Sequence, residues 1–192
     1  MENRSAKVRQ HSLENVFGSR IKRFQKLMRY KIREILLVSS IYDNYLFEED
    51  GRLYELIREE YQALNLSFAP ELIHVTTGEE ALEMLSGTHT YDLIITTMHI
   101  EDMHVIKFAQ MVRRSGINLP IILLAYDNRE RKELTTNYDT TIFERIFIWS
   151  GDYRLLIAIV KYVEDRVNVE NDTKNIGVQS IIVVEDNIKF YS

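Results

Sequence analysis

Apolar residues recur along this chain in two alternating rhythms. Ile35-Leu36-Leu37-Val38 is short and wholly apolar, the pattern of a parallel strand buried on both faces. A helical stretch follows over residues 52–64, with Leu53, Leu56, Ile57 and Tyr61 on one face. The same alternation then repeats. A strand over Glu71–Val75 leads to a short helix from Gly78, a strand over Tyr91–Ile95 leads to a helix over Met103–Arg114 closed by Gly116, and a strand over Leu119–Leu124 leads to a weaker, charged helix over Arg129–Thr136. Pro120 sits near the start of its strand, where the missing N–H is tolerated. A fifth strand, Ile142–Trp149, precedes a last helix, Tyr153–Val167, whose inner face carries Leu155, Leu156, Ile159, Val160 and Val163. Five strand–helix repeats predict a doubly wound α/β domain with a five-stranded parallel sheet and right-handed crossovers. In such sheets the chemistry gathers at the carboxyl ends of the strands.

Both ends of the chain depart from this rhythm. Ser12–Tyr30 has helical spacing: Leu13, Val16, Phe17, Ile21, Phe24, Leu27 and Met28 share one face behind a Ser12 N-cap. That stripe needs a cover, and pairing with a second copy through Leu13, Phe17, Ile21, Phe24 and Met28 is the simplest one. Val169–Gln179 reads as a polar linker. It is followed by Ser180-Ile-Ile-Val-Val-Glu185-Asp186, another strand of the buried type, which cannot fold alone. The expectation is that the natural protein continues. The division predicted is a basic amphipathic helical extension (1–31), the α/β domain (32–168), a linker (169–179) and the first strand of a further domain (180–192).

Composition narrows the class. The 192 residues hold no Cys, so a disulfide framework and thiolate metal sites are excluded. No apolar run reaches the roughly 20 residues of a membrane span, and the first residues lack a signal peptide's apolar stretch. A cytoplasmic protein without membrane contact is expected. The net charge of −5 conceals a split: up to Arg33 there are 10 Lys/Arg against 2 Asp/Glu, and beyond it 14 against 27. A basic arm thus precedes an acidic body, and it either packs on that body or a twin, or meets an acidic partner. It lacks the pattern of a nucleic-acid reader. Nor is there a glycine-rich phosphate loop, and the five His show no ligand spacing. No cofactor is expected.

Particular strand ends resemble a known family. Ile35-Leu-Leu-Val-Ser39-Ser40, Asp92-Leu-Ile-Ile-Thr96-Thr97, Pro120-Ile-Ile-Leu-Leu-Ala125-Tyr126, Trp149-Ser150 and Gly78-Glu-Glu-Ala-Leu82 are similar to the signature segments of response-regulator receiver domains. The resemblance covers about two thirds of the chain. It implies a flavodoxin-like sheet of order 2-1-3-4-5. It also implies that Ser39 and Ser40 stand where receivers carry an acidic pair, Thr97 where they carry the phosphorylated aspartate, Ala125 for a hydroxyl residue and Trp149 for a lysine. Phosphoryl transfer to a carboxylate needs that nucleophile, a Mg²⁺ held by hard oxygen ligands, and fixed cations on the moving charge. With these residues replaced together, the resemblance implies a pseudo-receiver: a non-catalytic regulatory or protein-interaction module of a two-component signalling protein. Asp43, Glu101 and Asp102, in loops on the carboxyl side, are the candidates for substitute acids in a phosphorelay receiver with displaced carboxylates. Trp149 either fills the space left by lysine and phosphate or anchors a partner. A structural dimerisation module driven by the basic helix is the remaining alternative. The tail strand, with Glu185 and Asp186, is similar to the start of a second receiver. The tandem resembles the front of large bacterial PEP/pyruvate-binding proteins of the pyruvate phosphate dikinase kind, which implies a phosphotransferase-like parent.

Overall fold

The computed structural model describes residues 29–43, 53–64, 66 and 68–176. Its centre is β1 (Glu34–Val38), paired in parallel with β2 (Glu71–Val75) on one side and β3 (Leu93–Thr97) on the other. β4 (Ile121–Ala125) and β5 (Arg145–Ile148) extend the sheet to the order β2-β1-β3-β4-β5, all parallel. The sheet and its order are those expected from the strand patterns and the receiver resemblance.

Helices cover both faces because successive strand residues point to opposite sides. Ile35 and Leu37 face α1 (Leu53–Ala63) and α5 (Arg154–Asn171), in one apolar cluster with Ile57, Leu124, Phe147, Leu156 and Val160. Leu36 and Val38 face the other way, towards α2 (Gly78–Ser86), α3 (Val105–Arg114) and α4 (Asn128–Asn137), in a cluster that holds Ala81, Phe108, Val112, Leu123 and Leu134. Every residue of β3 and β4 is buried, which explains the apolar runs Leu93-Ile94-Ile95 and Ile121–Ala125. Side-chain caps start three of the helices: Thr77 accepts from the Glu80 N–H, His104 Nδ1 from the Ile106 N–H and Asp127 from the Glu130 N–H. Gly116 ends α3 at φ +78°, a conformation that side-chain-bearing residues seldom adopt.

The last helix differs from expectation. It runs to Asn171 and passes into a π-helical turn over Asp172–Ile176, so much of the segment expected as linker is helical. The apolar periodicity stops early because the buried positions turn polar: Glu164, Asn168 and Asp172, four residues apart, are all buried. Two of them grip the chain entering β1. The Asn168 amide accepts from the Tyr30 N–H at 2.9 Å and donates to the Tyr30 carbonyl at 2.7 Å, while Glu164 accepts from the Ile32 N–H at 3.0 Å. The fifth strand is also shorter than expected. Ile142 and Phe143 lie in a turn, closed by the Phe143 N–H on the Thr140 carbonyl, and still pack into the second cluster. No helix among the described residues is long and apolar enough to cross a membrane.

Candidate functional site

The carboxyl ends of β1, β3, β4 and β5 converge, and they bring together the residues singled out in the sequence. Register places Val38 beside Thr96, Thr97 beside Leu124 and Ala125 beside Ile148, and the Trp149 N–H donates to the Ala125 carbonyl at 2.7 Å. Ser39, Thr97 and Ala125 are wholly buried, and Trp149 is 5% exposed within the cluster that holds Leu37 and Leu124.

The hydroxyls at this edge are engaged by the chain itself. The Thr97 hydroxyl donates to the His99 carbonyl at 2.9 Å, and the Ser40 N–H donates to the same oxygen at 2.9 Å. A carbonyl oxygen has two lone pairs, so two donors saturate it. The Ser40 hydroxyl turns the other way and accepts from the Asp43 N–H at 3.0 Å. The Ser39 hydroxyl lies 3.0 Å from Nε2 of His74 on β2, which is also 3.2 Å from the Ser39 carbonyl. One tautomer of His74 donates to that carbonyl and the other accepts from the hydroxyl, so the contact holds in both. Sequence reasoning passed over His74; its one signal was a polar residue inside an apolar strand.

The three acidic candidates separate by geometry. Glu101 accepts from the Ile41 N–H at 3.0 Å. Asp102 accepts from the N–H groups of Gly78 and Glu79 at 2.7 and 3.0 Å, which satisfies the first turn of α2. Both carboxylates are thus tied to backbone ends. Asp43 alone is buried, at 2% exposure, and its Oδ2 makes no hydrogen bond. Nδ1 of the exposed His99 stands 3.9 Å from that oxygen. Burial first, and then the facing Asp43 carboxylate, raise the pKa of the Tyr126 hydroxyl, so it stays protonated and points a donor at Asp43, although neither atom completes a hydrogen bond. Tyr126 is held in turn by Glu130, which accepts its N–H at 2.7 Å. Among the described residues no three His, Asp or Glu side chains group as a metal site. Glu185, Asp186 and the residues of the N-terminal stripe lie outside the described residues.

No protein-family model and no curated protein matches the chain. Solved structures do. The signal receiver domain of a Vibrio parahaemolyticus protein assigned as a Luxo repressor is 15% identical, with a TM-score of 0.51 over 76% of this chain and 99% of that one. An uncharacterized protein from Neptuniibacter caesariensis is 17% identical, with a TM-score of 0.51 over 79% of this chain and all of that one. The response regulator TrrA from Thermotoga maritima, solved with Mg²⁺ and BeF, is 24% identical, with a TM-score of 0.48 over 69% of this chain and 99% of that one. Sheet order and overall likeness agree on the class: the chain has the flavodoxin-like receiver fold.

Proposed function

We propose that this chain is a pseudo-receiver: a regulatory or protein-interaction module of a two-component-type signalling protein that does not take up phosphate at its strand ends. One observation carries the reading. The Thr97 hydroxyl and the Ser40 N–H together saturate the His99 carbonyl, so the cleft closes on its own donors. Magnesium prefers several hard oxygens, usually with one or two carboxylates. Asp43 is the one carboxylate among the described residues that is buried here, while Glu101 accepts from the Ile41 N–H and Asp102 caps α2. Ser39, Ser40 and Thr97 supply no anion, Ala125 no hydroxyl and Trp149 no cation; the donor set does not fit the metal. The burial of Trp149 supports the space-filling role over the anchor. The interaction in question is with a protein partner or a second copy, through the apolar stripe of the N-terminal extension. A PEP/pyruvate-binding parent is the wider reading that the tandem resemblance implies.

The test is incubation of the whole chain with acetyl phosphate and Mg²⁺, followed by intact mass. No phosphoryl adduct is expected, and a hydroxylamine-labile adduct would overturn the reading. The displaced-carboxylate receiver is kept as a second reading because Asp43 holds a free, buried oxygen beside His99. The chain has a single Trp, at this cleft, so its fluorescence reports on metal directly. A saturable change at about millimolar Mg²⁺, lost in Asp43→Asn, would favour that second reading.

A further inference from the structure

At the opposite end of the sheet, where the chain enters β1, lies a cleft of about 510 Å³ that none of the foregoing uses. That volume lies within the range of small-molecule sites. Its floor is Tyr61 of α1 with Lys161 and Glu164 of α5, and its walls include Leu66, Ala69 and Phe68. Lys31 and Arg33 stand at the rim, placed there because Ile32 between them is buried and tied to Glu164.

The acids and bases of this lining differ in how far they are engaged. Both oxygens of Glu164 are taken, one by the Ile32 N–H and one by Lys161 Nζ at 2.6 Å. Glu34 is paired with His89, and Glu71 is exposed at the rim. Three Lys/Arg and three Glu line the cleft, but the donors of Lys161, Lys31, Arg33 and Tyr61 are the less engaged. Lys161 spends one of its three protons on Glu164. Lys31 and Arg33 form no ion pair among the described residues. Tyr61, 3% exposed, holds a buried hydroxyl with no hydrogen-bond partner. Burial, and then the Glu164 charge, raise the pKa of that hydroxyl, so it is a standing donor. A buried donor left unmet is costly, and a ligand oxygen that reaches the floor would relieve that cost. Phe68, at 82% exposure, adds an aromatic wall that the fold itself leaves uncovered.

We infer that this cleft binds a small organic acid, its apolar body against Phe68 and Leu66 and its anionic head on Lys161, Lys31 and the Tyr61 hydroxyl. This is independent of the state of the strand ends. The probes are benzoate, phenyl phosphate and the neutral benzyl alcohol, titrated into the isotope-labelled full chain and followed by amide shifts. The expected result is saturable shifts confined to residues 31–34, 54–61, 66–71 and 161–164, with an anion at least about fivefold tighter than benzyl alcohol. Which anion binds tighter separates a carboxylate from a phosphate ligand. Tyr61→Phe, which removes one oxygen and no packing, and Lys31→Gln should each weaken binding by about fivefold with the fold unchanged. No shifts at about 10 mM of any probe, equal binding of the alcohol, or unchanged affinity in both variants would overturn the site.

Discussion

The Arg113 guanidinium donates to three carbonyls: Ile117 and Leu119 before β4, at 3.0 and 2.7 Å, and Ile142 before β5, at 3.2 Å. One side chain of α3 thereby fixes the approach to two strands. Burial lowers its pKa, yet a guanidinium remains charged in proteins. Arg113→Met keeps much of the side-chain volume and strands those carbonyls, so it should cost about 2 kcal/mol in urea denaturation. In sequence Arg113 looks like any basic residue in the last turn of a helix, because nothing local says which carbonyls lie above it. The acidic candidates show the same limit from the other side. Asp43, Glu101 and Asp102 were all legible as acids near the carboxyl edge, but only the folded loops separate two carboxylates bound to backbone N–H groups from one that is buried. The tyrosines add a pH effect. The hydroxyls of Tyr30, Tyr61, Tyr91 and Tyr126 all have raised pKa values, in each case mainly through burial. The folded state therefore holds its protons where the unfolded chain releases them. Their contribution to stability is complete below the usual value of 10.0 and is lost as pH rises beyond it. The urea midpoint should fall between about pH 9 and pH 11, and less steeply in Tyr61→Phe/Tyr126→Phe.

Among the elements, β1, β3 and β4 were legible because burial on both faces selects apolar runs, with hydroxyls only at the end of β3. The end of α5 was not, since its last buried positions are polar and serve the chain entering β1. Asn168 is the centre of that joint: besides its two bonds to Tyr30 it donates to the Glu164 carbonyl at 2.8 Å. The Tyr30 hydroxyl donates to the Asp92 carbonyl at 2.9 Å, which ties the same segment to the start of β3. Asn168→Ala removes the bonds to both Tyr30 backbone groups, and the expected loss is about 2 kcal/mol. Asn168→Asp keeps an acceptor for the Tyr30 N–H but sets a carboxylate against the Tyr30 carbonyl, so it should be no better than Ala. Hydrogen exchange distinguishes a local joint from a general loss of packing. Protection should fall first over residues 30–33 and 164–172, while β3 and β4 keep theirs in both variants.

For the whole molecule, charge and apolarity give the basic arm opposite answers to one experiment. The segment up to Arg33 carries a surplus of eight positive charges and the remainder a surplus of thirteen negative ones. If the arm is held to the acidic body by these charges, the association weakens as salt shortens the screening length from about 10 Å at 0.1 M to about 3 Å at 1 M. If the stripe of Leu13, Phe17, Ile21, Phe24 and Met28 pairs with a second copy, burial of apolar surface drives it, and salt does not dissolve it. The residues next to the arm favour the second outcome. The backbone of Tyr30 and Ile32 hydrogen-bonds to the side chains of Asn168 and Glu164, so the arm starts from short-range, buried contacts on α5 that screening by salt barely reaches. Equilibrium sedimentation of the full chain at about 0.1 and 1 M salt should therefore return a dimer's mass in both. Phe17→Glu/Phe24→Glu, which lowers the arm's positive surplus and breaks its apolar stripe, should return a monomer's mass in both, with the α/β domain still folded by circular dichroism. A wild-type mass that halves as salt rises would assign the arm to electrostatic contact instead, and a monomer throughout would leave the stripe to a different protein.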